Sequence, residues 1–256
     1  MQKVDVWLPK GSGPFPTVLM VHGGCWTTSI ADRSLMDWVA GDLRAHGAAV
    51  WNIDYRGVDR QGGGYPGTFL DAAAAADALM SHAAEYHLDM HRIVTTGHSA
   101  GSHLALWLAG RPRIPSASPL HTTRPLPIAH VISLGGLPDL EATAASPDNG
   151  CGTHVVARLV GAPTPEHPDI YADTSVTRLL PLGVSQDLVN GREDAIVPYR
   201  LAIDYLAKAC AAGDAVMLHT IPDTGHVELV TPDTAAWAEA RRLILTALKP
   251  PASVPD

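Results

Sequence analysis

Cysteine is scarce in this sequence: three residues, Cys25, Cys151 and Cys210, stand far apart with no Cys-x-x-Cys pair. That spacing argues against a disulfide framework and against a zinc cage, and it fits a reducing compartment. Long apolar runs are missing as well. No stretch approaches the roughly 18 apolar residues of a membrane span, and the start Met1-Gln2-Lys3-Val4-Asp5-Val6-Trp7 has no apolar core of signal-peptide length. The expectation is a soluble, cytoplasmic protein without a membrane partner. Positive charge is in deficit: a formal net charge of −8 disfavours nucleic acid as a partner and leaves a small neutral substrate open. The chain has 13 histidines, but none falls in His-Glu-x-x-His spacing, and Gly62-Gly63-Gly64 is not followed by Gly-Lys-Ser/Thr. No metal and no cofactor are therefore expected.

What is present is an alternation of short β-branched runs with helical ones. Strands are expected at 3–8, 17–21, 48–54, 92–96, 129–134, 183–190 and 215–221, with helices between them. This is the pattern of an α/β fold, a mostly parallel twisted sheet covered on both faces. With 256 residues, 46% of them hydrophobic, the whole of 1–256 is expected to form a single domain. Ser34 with Asp37, and Thr68 with Asp71, resemble capping boxes, and Gly47 reads as a helix stop. The Pro-, Ser- and Thr-rich stretch 111–127 reads as an irregular excursion. A second excursion, 135–182, carries one helical run at 155–160 and is expected to be a short lid.

Four segments carry chemistry. Gly97-His98-Ser99-Ala100-Gly101 lies between a strand-like run and a helical run, so Ser99 would sit on a tight strand-to-helix turn with its hydroxyl exposed as a nucleophile. His22-Gly23-Gly24-Cys25-Trp26 follows another strand. The backbone N–H groups of Gly24 and Cys25, with that of Ala100, could form an oxyanion hole, and Trp26 is either a substrate-binding pocket wall or scaffold packing. In the acidic loop after the strand at 183–190, Asp194 is the preferred partner acid, with Glu193 and Asp187 as alternatives. His226, in Thr224-Gly225-His226, follows the next strand and is the candidate general base. Nucleophile, acid and base thus run in the order Ser99, Asp194, His226, which differs from the orders used by the chymotrypsin and subtilisin folds.

On these motifs, together with Asp54-Tyr55-Arg56-Gly57 and Tyr65-Pro66-Gly67-Thr68, the chain resembles the α/β-hydrolase superfamily from about residue 4 to 248. Within it, His-Gly-Gly-x-Trp and Gly-His-Ser-Ala-Gly are similar both to small carboxylesterases and to kynurenine formamidases (arylformamidases). Ser102, Asn190 and Val227 depart from residues common in such relatives. The resemblance implies a cofactor-free serine hydrolase that cleaves a small-molecule ester or aryl amide through an acyl-enzyme. The alternative is hydrolysis of an N-formyl aromatic amino acid. Thioester or lactone cleavage, and a non-catalytic ligand receptor, stand further behind.

Overall fold

The seven expected stretches all become strands, and they join into one sheet. The structure, a computed structural model, describes residues 3–250; residues 1–2 and 251–256 of the expected single domain lie outside the described residues. In chain order the strands are β1 (Val4–Trp7), β2 (Phe15–Val21), β3 (Ala49–Ile53), β4 (Leu88–His98), β5 (His130–Leu134), β6 (Ser185–Gly191) and β7 (Val216–Ile221). The helices are α1 (Asp37–Ala45), α2 (Gly67–His82), α3 (Ala100–Gly110), α4 (Leu140–Ala144), α5 (Thr153–Val160), α6 (Arg200–Ala211) and α7 (Ala235–Ala247).

The spatial order is β1-β3-β2-β4-β5-β6-β7, with β1 antiparallel to β3 and every other pair parallel. A parallel sheet covered on both faces needs strands apolar on both sides, and β2 meets that need. Its Val18 and Met20 belong to a core formed with Met36, Leu43, Trp237 and Ile244 from the α1 and α7 side. Its Leu19 and Val21 belong to the opposite core, with Phe69, Leu104, Trp107 and Tyr205 from α2, α3 and α6. The split follows from the period of two along a strand.

From β2 the chain runs outward to β3, then crosses back to β4 and continues the other way. Strand order therefore reverses between β2 and β4, where the connections leave a crevice at the carboxyl ends. The loops after β2, β4, β6 and β7 all open at that edge, and they carry the candidate residues of the sequence.

Local details differ from the sequence reading. The turn leading into α1 is capped by Asp32, whose carboxylate accepts from Ser34 N–H, so Ser34 is the capped residue and not the cap. Asp71 is no cap for α2 either: it takes a bidentate pair from the Arg56 guanidinium at 2.6 and 2.7 Å, while the Thr68 hydroxyl accepts from Gly64 N–H. The Arg56–Asp71 pair substitutes a tertiary tie for a local one.

The larger correction concerns cysteine. Cys25 and Cys151 form a disulfide, with their Cα atoms 5.4 Å apart across 126 positions of sequence. Chain spacing could not show this pair, because the fold brings the segment before α5 against the loop after β2. Closing so long a loop contributes about 5 kcal/mol on chain-entropy grounds. It also ties down the expected lid, whose Val155, Val156, Leu159 and Val160 are already buried in the core.

Candidate active site

At the end of β4 the backbone turns so sharply that Ser99 adopts φ 55° and ψ −124°, a conformation costly for any residue with a side chain, on the order of 1–3 kcal/mol. The turn is held by contact between backbones. A Cβ on Gly97 would collide with the Gly101 carbonyl, and one on Gly101 with the carbonyls of Val21 and His22. Only glycine lets β4, α3 and the end of β2 approach this closely. Ser99 N–H donates to the Leu134 carbonyl at 2.8 Å, and the Ser102 hydroxyl bonds the Gly97 and Leu134 carbonyls beneath the turn. Ser102 thus supports the turn from below and does not line the cavity.

The loop after β2 is equally constrained. Gly24, Cys25 and Trp26 have φ of 104°, 49° and 51°, and Gly24 and Cys25 line the same cavity as Ser99. Among the described residues, the Gly24 and Cys25 N–H groups donate to no protein acceptor. Ala100 is the first residue of α3, where a helical N–H has no intrahelical acceptor. Trp26 is fully buried and lies outside the cavity lining. Its indole N–H donates to His103 Nδ1 at 3.2 Å, so of the two roles open to it, packing is the one its surroundings provide.

The loops after β6 and β7 meet through their backbones: Glu193 N–H donates to the Thr224 carbonyl at 2.9 Å, and Gly191 packs where a Cβ would strike that carbonyl. This contact sets Asp194 beside His226, whose Nδ1–H donates to Asp194 Oδ2 at 2.7 Å. The other carboxylate oxygen accepts from Ile196 and Val197 N–H at 2.9 and 2.7 Å, and the side chain is wholly buried. The two alternatives separate cleanly. Glu193 is exposed, and Asp187 lies along β6 with both oxygens taken, at 2.6 Å each, by His130 and His219.

With Nδ1 bonded to Asp194, the free Nε2 of His226 is the nitrogen left to accept a proton. Ser99 and His226 line one cavity of about 580 Å³, and the Ser99 hydroxyl has no protein hydrogen-bond partner among the described residues. Nucleophile–base contacts of this kind often close only around substrate. Of segment 135–182, expected to set the pocket, Gly150 alone lines this cavity; most of its wall comes from 30–38 and 227–232.

Two buried histidines escaped the sequence reading. His98 donates from Nε2 to the His226 carbonyl at 3.1 Å, its ring centre 4.5 Å from that of His226. Burial, and then the charge His226 can carry, hold its pKa down to about 3. His103 donates from Nε2 to the Thr174 carbonyl at 2.8 Å, and burial holds its pKa down to about 4. The signal for His103 was a histidine within an otherwise apolar run; His98 stands inside the Gly-x-Ser-x-Gly motif, where attention falls on the serine.

These depressed values tie stability to pH. Unfolded, both histidines take up a proton as pH falls below about 6.5; folded, they resist until about 3 and 4, so the stability they contribute is complete above 6.5 and is lost progressively in acid. A His103→Leu variant strands the Trp26 N–H and the Thr174 carbonyl, and should melt well below wild type near pH 7. Thermal melts repeated near pH 5 should show that deficit shrinking; a deficit that grows with acid contradicts the neutral assignment.

Comparison with known proteins follows the same lines. The BD-FAE family model matches residues 4–208. A probable isoprenylcysteine alpha-carbonyl methylesterase of Arabidopsis thaliana is 35% identical over 104 residues, which is 40% of this chain and only 21% of that protein's length. Among solved structures, a thermophilic esterase of Thermogutta terrifontis superposes with a TM-score of 0.75 at 20% identity, covering 96% of this chain and 86% of that one. A bifunctional GH43-CE protein of Bacteroides eggerthii gives 0.75 at 21% identity, covering 96% of this chain and 33% of that one. Among the described residues no helix is long and apolar enough to cross a membrane. The fold is that of the α/β-hydrolases, and the chain belongs to the BD-FAE family.

Proposed function

We propose that the protein is a serine hydrolase of carboxylic esters, with Ser99 as nucleophile, His226 as general base and Asp194 as its orienting acid. The observation that carries the reading is His226, bonded to Asp194, lining the same cavity as a serine held at φ 55°. Strain of that kind persists where the surrounding structure enforces it, and it is concentrated at functional sites.

The chemistry needs only the chain's own groups. Ser99 Oγ attacks the ester carbonyl as its proton passes to His226 Nε2, and the N–H groups of Gly24, Cys25 and Ala100 meet the developing oxyanion. The tetrahedral intermediate collapses by breaking the bond to the alcohol oxygen, which takes the proton from His226. Water then attacks the acyl-enzyme, its proton going to His226 and back to Ser99 as the carboxylic acid leaves. Asp194 keeps the imidazole in the accepting tautomer throughout. The described sheet and its helices form one catalytic unit on this reading.

An N-formyl aromatic amino acid is the rival substrate. It brings an ammonium and a carboxylate, and among the described residues no Lys, Arg, Asp or Glu lines the cavity to meet them. Leaving charges unpaired in a partly apolar cleft is costly, so the ester is favoured. The cytoplasmic expectation rested in part on unpaired cysteines and loses that part of its support, because disulfides persist chiefly in oxidising compartments.

The test offers purified protein p-nitrophenyl acetate and N-formylkynurenine. Ester turnover should exceed formamide turnover by at least about tenfold in kcat/KM, since unpaired charge costs more than 1.4 kcal/mol. A preference for the formamide reverses the assignment of substrate.

A further inference from the structure

Eight large apolar side chains are exposed among the described residues, and four of them, Ile30, Leu35, Ile196 and Val227, stand around the cavity that holds Ser99. Ile30 and Val227 are 64% and 61% exposed. Scattered exposed apolar residues need no explanation, but a cluster facing one cleft does. The nearby wall is also built rather than loose. The Trp38 indole N–H donates to the Val230 carbonyl, and its ring meets Trp237 edge-on at 5.3 Å, which pins the turn after His226 against α1.

From these observations we infer that the cavity receives an uncharged, extended alkyl arm of the ester, with Ile30, Leu35, Trp38, Ile196 and Val227 setting the preference for it. The inference rests on the hydrolase reading above and departs from the small acyl group that a short lid suggests.

Three features converge on that class of substrate. The cavity, at about 580 Å³, falls in the range of drug-sized ligand sites and far exceeds what an acetyl group fills. Its lining holds no Lys, Arg, Asp or Glu among the described residues, and His98, which does line it, stays uncharged at neutral pH, so an ionised arm finds no fixed charge to pair with. An apolar arm covers the four exposed side chains and is covered by them in turn. Because the wall is fixed in advance by Trp38, little ordering opposes that gain.

Each methylene so buried is worth up to about fourfold in kcat/KM. The experiment compares p-nitrophenyl acetate, butyrate and octanoate with the butyrate-length hemisuccinate, whose arm ends in a carboxylate. The octanoate should exceed the acetate by at least about tenfold in kcat/KM, and the hemisuccinate should fall at least about tenfold below the butyrate. In the double variant Ile30→Ser/Val227→Ser the octanoate-to-acetate ratio should drop about tenfold. Both positions are exposed, so its melting temperature should stay close to that of wild type. Acetate turned over as well as octanoate, or a ratio unmoved in the variant, overturns the alkyl-arm inference and leaves the hydrolase reading intact. Turnover of none of these esters overturns both.

Discussion

Ser99→Ala is expected to lower kcat for p-nitrophenyl acetate by roughly 10⁴- to 10⁶-fold, the range seen when a hydrolase nucleophile is removed. The fold should survive the change. The Ser99 hydroxyl has no protein hydrogen-bond partner among the described residues, so its loss strands no buried group, and alanine meets the same φ of 55° that serine already tolerates. Near-identical melting curves beside a collapse in rate would separate a chemical role from a structural one. A serine-directed phosphonate should label wild-type protein once, on the peptide containing Ser99, and leave the variant unlabelled, as read by mass spectrometry. Activity within about tenfold of wild type would require another nucleophile.

Asp194→Asn should cost about 10⁴-fold in kcat, although it changes one atom. Asparagine can still accept from the Ile196 and Val197 N–H groups through its carbonyl oxygen. Its amide then turns N–H toward His226 Nδ1, where a carboxylate accepted before. The imidazole answers by making Nδ1 the acceptor and moving its proton to Nε2, the position that has to take the proton of Ser99. The defect should therefore lie mainly in kcat, with KM little changed, because nothing in the cavity wall moves. An equal loss in Glu193→Gln would point to the exposed carboxylate instead, and a rate unaffected at Asp194 would remove it from the mechanism.

Much of this site could be read from the chain because its parts sit directly after strands, and strands announce themselves through β-branched runs. Val21, His98 and Ile221 each end a strand within a few residues of a candidate group, so the motifs stood in register before any coordinates. The sequence favours Asp194 without excluding Asp187 and Glu193, since three carboxylates within eight positions differ only in what they face. Packing decided it: Asp187 is held between His130 and His219, Glu193 points outward, and Asp194 meets His226. The disulfide was hidden because loop closure over 126 residues leaves no local pattern. Capping was misread at Ser34 and Thr68, where a neighbouring acid and a distant carbonyl competed successfully for the same groups. The apolar rim was missed because 30–38 and 227–232 carry no periodicity to mark them as one surface.

The disulfide places two concerns on one covalent bond. Cys25 lines the cavity, and Cys151 leads into α5, whose Val156 and Leu159 are sunk in the interior. A cleft that faces water is thereby moored at its mouth to the part of the molecule least free to move. The opening can stay wide without becoming soft.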